Sequence, residues 1–274
     1  MEPRGVRVAL RVWTALVMLF LYVPIAVIIL YAFNRSSIQS WPISSFSLRW
    51  FSVAFHDSDV RAGLVLSLKA GALATTVALA LGSAAAFAVH RFRFFGREVV
   101  SFVLVLPIAL PGIITGIALA SFFAFGRINL SLWTIAIGHA TFCIVVVYNN
   151  VIARLRRTSP SLLEASMDLG AHGWTVFRTV TFPLLSTALI AGALLAFALS
   201  FDEVVVSVFT AGAQNTLPLW IFGAIQRGQQ LSEVNVVVFA VILLTIFPIT
   251  VAVRLTGGAG ITGARAGAGA ERGA

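Results

Sequence analysis

The thirty residues from Arg154 to Pro183, RLRRTSPSLLEASMDLGAHGWTVFRTVTFP, form the one extended polar and basic stretch enclosed between long apolar runs. A short helix inside it signals both its ends. Ser159 can sit at the N-cap with Pro160 in the first turn, where a missing N–H costs nothing, or Ser161 and Glu164 can form a capping box. Gly170 supplies a C-terminal stop. Between cap and stop, Leu162, Leu163, Ala165, Ser166, Met167 and Leu169 give a helix with much small and apolar surface, too short to cross a bilayer. Such a surface calls for a groove on a partner or for the interface of its own membrane, and both readings are open at this point.

Across the whole chain, 59% of residues are hydrophobic and only 11% charged, a composition that no water-soluble core of this length requires. The chain is therefore read as an integral membrane protein. A net charge of +9 would suit a nucleic-acid binder, but the basic residues lie scattered between apolar spans and make no patch with exposed aromatics. No nucleic-acid partner is expected; the partner of the apolar surface is the lipid bilayer. Cys143 is the single cysteine, so no intrachain disulfide can form. His56, His90, His139 and His172 show no ligand spacing with one another or with Cys143. No metal and no cofactor are expected, and each histidine is read as a loop or packing residue.

The fold class predicted is all-α and polytopic, with six transmembrane helices over 12–33, 63–89, 99–125, 130–153, 184–209 and 234–254. A cytoplasmic N-terminus (1–11), a loop at 154–183 and a disordered Gly/Ala-rich tail at 257–274 complete the domain plan, with 12–256 as the transmembrane domain. The first run, 12–33, is too long for the apolar region of a signal peptide, and no small-x-small cleavage site follows it. Residues 34–62 read as an external loop, and Leu217 to Ile225 as an apolar piece too short to span. Gly71, Thr75, Ala78, Gly82 and Ala86 give the second span a small-residue face for close helix approach, while Lys69 near its outer end can snorkel. Pro107 and Pro111 must bend or interrupt the third, as a structural kink or as part of a wet pathway.

Orientation follows from the arginines. With the N-terminus inside, thirteen basic residues fall on cytoplasmic segments and five outside, which puts both termini and the 154–183 loop in the cytoplasm.

No Gly-x-Ser-x-Gly elbow, zinc helix or phosphate loop is present, so the chain lacks the parts of an enzyme. Gly258, Gly260 and Gly263 match a dinucleotide fingerprint in spacing only, with no preceding strand pattern. Against this background Glu164-Ala165-Ser166, three residues, Gly170, nine residues, Val180, one residue, Phe182-Pro183 resembles the EAA loop of bacterial ABC-importer permease subunits. Ser166, Val180 and Phe182 replace the family's Ala, Ile and Leu. The stretch Leu199 to Ser207 with Thr216-Leu217-Pro218-Leu219 resembles the spermidine/putrescine, PotC-like branch.

The resemblance implies the ABC type I importer permease fold in a bacterial inner membrane. It makes Glu164, Ala165, Ser166, Gly170 and Pro183 the coupling residues toward a separate ABC ATPase dimer. It also implies a second, PotB-like permease subunit and an extracytoplasmic solute-binding protein. Polyamine is the solute indicated; related members carry ferric iron, thiamine or aminoethylphosphonate, and composition alone also admits a stand-alone channel or secondary transporter.

Asp202 and Glu203 are the candidates for the substrate pathway. A charge inside a span costs about 2.5 to 3.5 kcal/mol, so it faces a polar path or a partner. A helix from Pro183 reaches Asp202 after about 29 Å, near the outer end of the bilayer core. Multivalent cations suit these carboxylates; an ion pair with Lys69 or another basic residue, or exposure at a helix end, are the other readings.

Overall fold

The structure is a computed structural model that describes residues 4–256. The tail expected to be disordered, 257–274, lies outside the described residues. The described chain is helical, and its β pairing is an isolated bridge between Asn34 and Phe46. In order the helices are α1 (Arg4–Ala32), α2 (Arg49–His56), α3 (Ser58–Arg91), α4 (Arg97–Ala109), α5 (Gly112–Phe125), α6 (Leu132–Arg157), α7 (Pro160–Asp168) and α8 (Gly173–Val176). A π-helical turn (Phe177–Thr181) comes next, then α9 (Phe182–Phe201), α10 (Val205–Thr210), α11 (Leu217–Arg227) and α12 (Leu231–Thr256). Helices dominate because each satisfies its own backbone N–H and C=O groups, which hydrocarbon cannot do for it.

Four helical runs are long and apolar enough to cross a membrane: α1, α3, α6 and the continuous Gly173–Phe201 run. The bent pair α4 and α5 makes a fifth if counted as one broken span. The six expected spans are therefore not all reproduced, because the apolar part of α12 spans only Leu231–Ile246 among the described residues.

Several predicted boundaries move. Helix α1 starts at Arg4, ahead of the apolar run at 12, because arginines end a span without ending a helix. Residues 34–62 are not a bare loop: they hold α2 and the start of α3. Asp57 opens α3, its Oδ1 accepting from the N–H groups of Asp59 at 2.6 Å and Val60 at 3.1 Å. The proline-rich third span breaks at Leu110-Pro111, where α4 and α5 turn by 103°. The expected span at 184–209 is split between α9 and α10 at 202–204.

The chain divides into two compact units. The first comprises residues to Arg61 together with Ile221–Phe247. Its packing centres on Phe33, Phe51 and Phe239, with ring centroids 5.1, 5.6 and 6.0 Å apart, and Ser232 Oγ donates to Ser36 O at 3.4 Å. Most of α1 is exposed, as expected of a helix facing lipid or another subunit.

The second unit, Ala62–Trp220 with the residues from Pro248 on, carries the candidate sites. Its core joins Ala78, Ala86 and Val89 of α3 to Cys143, Val147, Tyr148, Val151 and Leu155 of α6 and to Leu185 and Ala196 of α9. The small-residue face expected on α3 is the packing face. A Cβ on Gly82 would come within 2.8 Å of Ile144 O and 3.0 Å of Val147 Cβ, and one on Gly71 within 3.0 Å of the Phe197 ring. Lipid is as apolar as leucine, so close van der Waals fit, which small residues permit, is what holds such helices together.

Candidate coupling helix and carboxylate corner

The helix expected between Ser159 and Gly170 forms as α7, with Ser159 at the N-cap and Pro160 in the first turn. No side-chain cap is made, however. Ser159 Oγ instead lies 2.7 Å from Ser161 Oγ, so the Ser161–Glu164 capping box does not form. A capping box appears instead at the head of α6, where Ser131 pairs with Thr134.

The C-terminal end obeys the stop signal closely. Ala171 N–H donates to Ser166 O at 3.1 Å and Gly170 N–H to Met167 O at 2.9 Å, the two bonds of a Schellman motif. Gly170 sits at φ +85°, a backbone conformation that a side chain disfavours. A Cβ there would meet nothing within 4 Å, so conformation and not space demands the glycine.

Glu164, Ala165 and Gly170 are exposed, and so are Leu162, Met167 and Leu169, the last at 90%. Ser166 is half-buried and turns its hydroxyl back onto Leu162 O at 2.7 Å. The result is a self-terminated helix that presents apolar side chains beside two carboxylates, Glu164 and Asp168. The π turn and the head of α9 anchor its C-terminal side. Pro183 has no N–H to give to the preceding turn, and the helix widens there into the π turn, with Phe182 N–H donating to Phe177 O. Phe177 stacks on Trp174 at 5.6 Å and meets Phe87 of α3 at 6.1 Å. Arg154 Nε closes the loop by donating to Leu184 O at 2.9 Å. Sequence reasoning uses Arg154 for topology alone; nothing in its local spacing marks this bond.

The second candidate lies at the other end of α9, twenty residues away, or about 30 Å along the helix axis. The structure thus keeps Pro183 and the two acids apart. Asp202 is exposed at the C-cap of α9. Glu203 is half-buried and its Oε1 accepts from Val206 N–H at 2.9 Å, capping α10. Among the described residues neither carboxylate is ion-paired with Lys69 or any other basic side chain.

Behind the corner lies a residue that sequence reading assigns to packing. His139 of α6 is 1% exposed, with Nδ1 2.8 Å from Ser200 Oγ of α9 and Nε2 3.0 Å from Ser207 Oγ of α10. Ser207 Oγ donates in turn to Glu203 O at 2.7 Å. Thr134 Oγ1 donates to Thr210 O at 2.8 Å and ties the far end of α10 to α6. A polar ring in the middle of an uncharged run is the available signal, since such a group persists only when paired. Gly138 admits the close approach: a Cβ there would lie 3.1 Å from Val206 Cγ1.

The structure thus defines the class first: a helical membrane protein with a short exposed helix between two long apolar helical runs. The family model for the binding-protein-dependent transport system inner membrane component matches residues 78–257, and the chain belongs to that family. It is 33% identical over 229 residues to the spermidine/putrescine transport system permease protein PotC of Haemophilus influenzae, covering 83% of this chain and 88% of that one. It is 36% identical over 218 residues to the putrescine transport system permease protein PotI of Escherichia coli, covering 76% and 77%. In fold it is similar to a bacterial ABC transporter involved in the import of the acidic polysaccharide alginate, at TM-score 0.66 and 17% identity over 95% of this chain and 99% of that one. The chain is thus a permease subunit, and the family read from the 154–183 loop is the one found.

Proposed function

We propose that this chain forms half of the solute pathway of a polyamine importer driven by a separate ABC ATPase dimer. The observation that carries the reading is α7: an exposed, glycine-terminated helix with an apolar face, whose sequence spacing resembles the family's EAA loop. Its apolar face enters a groove on the ATPase, with Glu164 and Gly170 as the chief coupling residues and Ala165 and Ser166 small enough for close contact. Pro183 and the π turn pass the motion into α9.

Six spans complete the pore half: α1, α3, the broken α4–α5 pair, α6, the Gly173–Phe201 run and α12. Both termini and α7 face the cytoplasm in this reading, which the distribution of arginines supports. A second, PotB-like permease supplies the other half, and an extracytoplasmic binding protein delivers the solute. Polyamine as solute rests on the relatives' substrates and on Asp202, an exposed carboxylate suited to a multivalent cation at the outer end of α9.

Uptake of labelled putrescine and spermidine by cells with and without the gene tests the solute. A gene-dependent uptake is expected. Equal uptake would remove polyamine and leave the importer reading for another solute, such as ferric iron, thiamine or aminoethylphosphonate.

A further inference from the structure

The break between α9 and α10 needs a cause. No glycine or proline occupies 201–205, and the sequence there, Phe201-Asp202-Glu203-Val204-Val205, does not by itself end a helix at Phe201. What the structure offers is a set of buried side chains on both sides of the break that share one partner. Ser200 precedes it, Ser207 lies beyond it, and both reach His139. Ser200, Ser207 and His139 are all at most 3% exposed.

Hydrogen-bond accounting gives one arrangement in which the ring and both hydroxyls are satisfied. The Ser207 hydroxyl proton is committed to Glu203 O, so Ser207 Oγ accepts from His139 Nε2–H. Nδ1 is then the acceptor, and Ser200 Oγ–H donates to it. In this arrangement a neutral imidazole uses both nitrogens, and each hydroxyl proton has an acceptor. The same chain of bonds runs through Glu203, whose carbonyl receives Ser207 and whose Oε1 caps α10. Its backbone and its side chain are therefore both held.

We propose that His139 is the positioning residue of the carboxylate corner: it holds α9 and α10 at the break, and so sets where Asp202 stands. The inference deepens the proposed function, since it rests on the corner lying in the solute pathway. His139 touches no solute; it acts through Ser200, Ser207 and Glu203. Its removal leaves two buried hydroxyls short of a partner, and the break loses the bond that joins its two sides.

The test uses the assembled transporter in cells, with Cys143→Ala removing the single native cysteine and Asp202→Cys as reporter. A water-soluble, positively charged methanethiosulfonate labels position 202, with and without putrescine or spermidine. His139→Phe is expected to change the labelling rate about tenfold, His139→Gln to restore part of it by offering one donor and one acceptor, and an Ile38→Cys reporter, at an exposed position in the segment after α1 that is expected outside, to react as before. Should His139→Phe fail to accumulate, Ser207→Ala is expected to change the rate at position 202 several-fold. A rate unchanged within about twofold in whichever variant accumulates overturns the inference, because a ring that only fills space is replaced by phenylalanine. Failure of polyamine to protect position 202, with the His139 dependence intact, sinks the pathway reading and leaves the positioning role standing. No labelling in either background contradicts both.

Discussion

The 158–172 loop and the α9–α10 corner are both short irregularities flanked by long helices, yet they are stabilised in opposite ways. Helix α7 is held by its own backbone: a proline at its start, a Schellman pair at its end, and exposed side chains between. The corner is held from outside, by a histidine sixty-one residues away from Ser200 and by glycines on α5 and α6 that let α10 approach. A locally specified element can leave its face free for another subunit. An element specified by distant side chains has its position fixed, which suits the pathway role proposed for Asp202.

This contrast can be broken by substitution. The largest effect is expected from Glu164→Arg and Gly170→Asp, which should reduce uptake to background while the protein accumulates and inserts normally. Space around Gly170 is open, so Gly170→Asp strains only one residue at the end of an exposed helix. Normal uptake at normal abundance would remove the coupling role.

Gly82→Leu provides the contrasting case. Its Cβ would press on Ile144 O at 2.8 Å, and overpacking of this kind costs about 1 to 3 kcal/mol. Reduced abundance and a lower unfolding temperature of the purified chain are expected, with uptake falling only in proportion to the protein left. Full stability would show that the α3–α6 contact is looser than described.

At the corner the two acids should separate. Asp202→Asn removes the exposed carboxylate and is expected to raise the KM for polyamine about tenfold, equivalent to roughly 1.4 kcal/mol. Glu203→Ala removes the α10 cap and is expected to cost about 1 kcal/mol of stability with a smaller change in KM. The reverse ranking, measured by uptake kinetics and thermal unfolding side by side, would reassign the pathway carboxylate to Glu203.

The same contrast explains which features are legible in the sequence. Helix α7 is legible because Pro160 and Gly170, the residues that start and stop it, lie within ten positions of each other. The small-residue face of α3 is legible because its spacing repeats along one helix. The split at 202–204 is not, since an apolar run from 184 to 209 interrupted only by two acids carries no local breaker, and the bonds that shape it come from α6. His139 reads as packing because a lone histidine has no partner in sequence, only in space. Helix α2 and the true start of α1 escape for a simpler reason: a hydropathy pattern locates the membrane, and a helix can begin before it.

The central claim is that α7 faces the cytoplasm and is covered by an ATPase. The most direct measurement is the reaction of Leu169→Cys, in a Cys143→Ala chain, with a membrane-impermeant thiol reagent in inside-out and right-side-out vesicles, with and without the ATPase subunit. Reaction confined to inside-out vesicles and suppressed when the ATPase is bound is the expected result. Reaction in right-side-out vesicles, or a rate indifferent to the ATPase, would contradict the account.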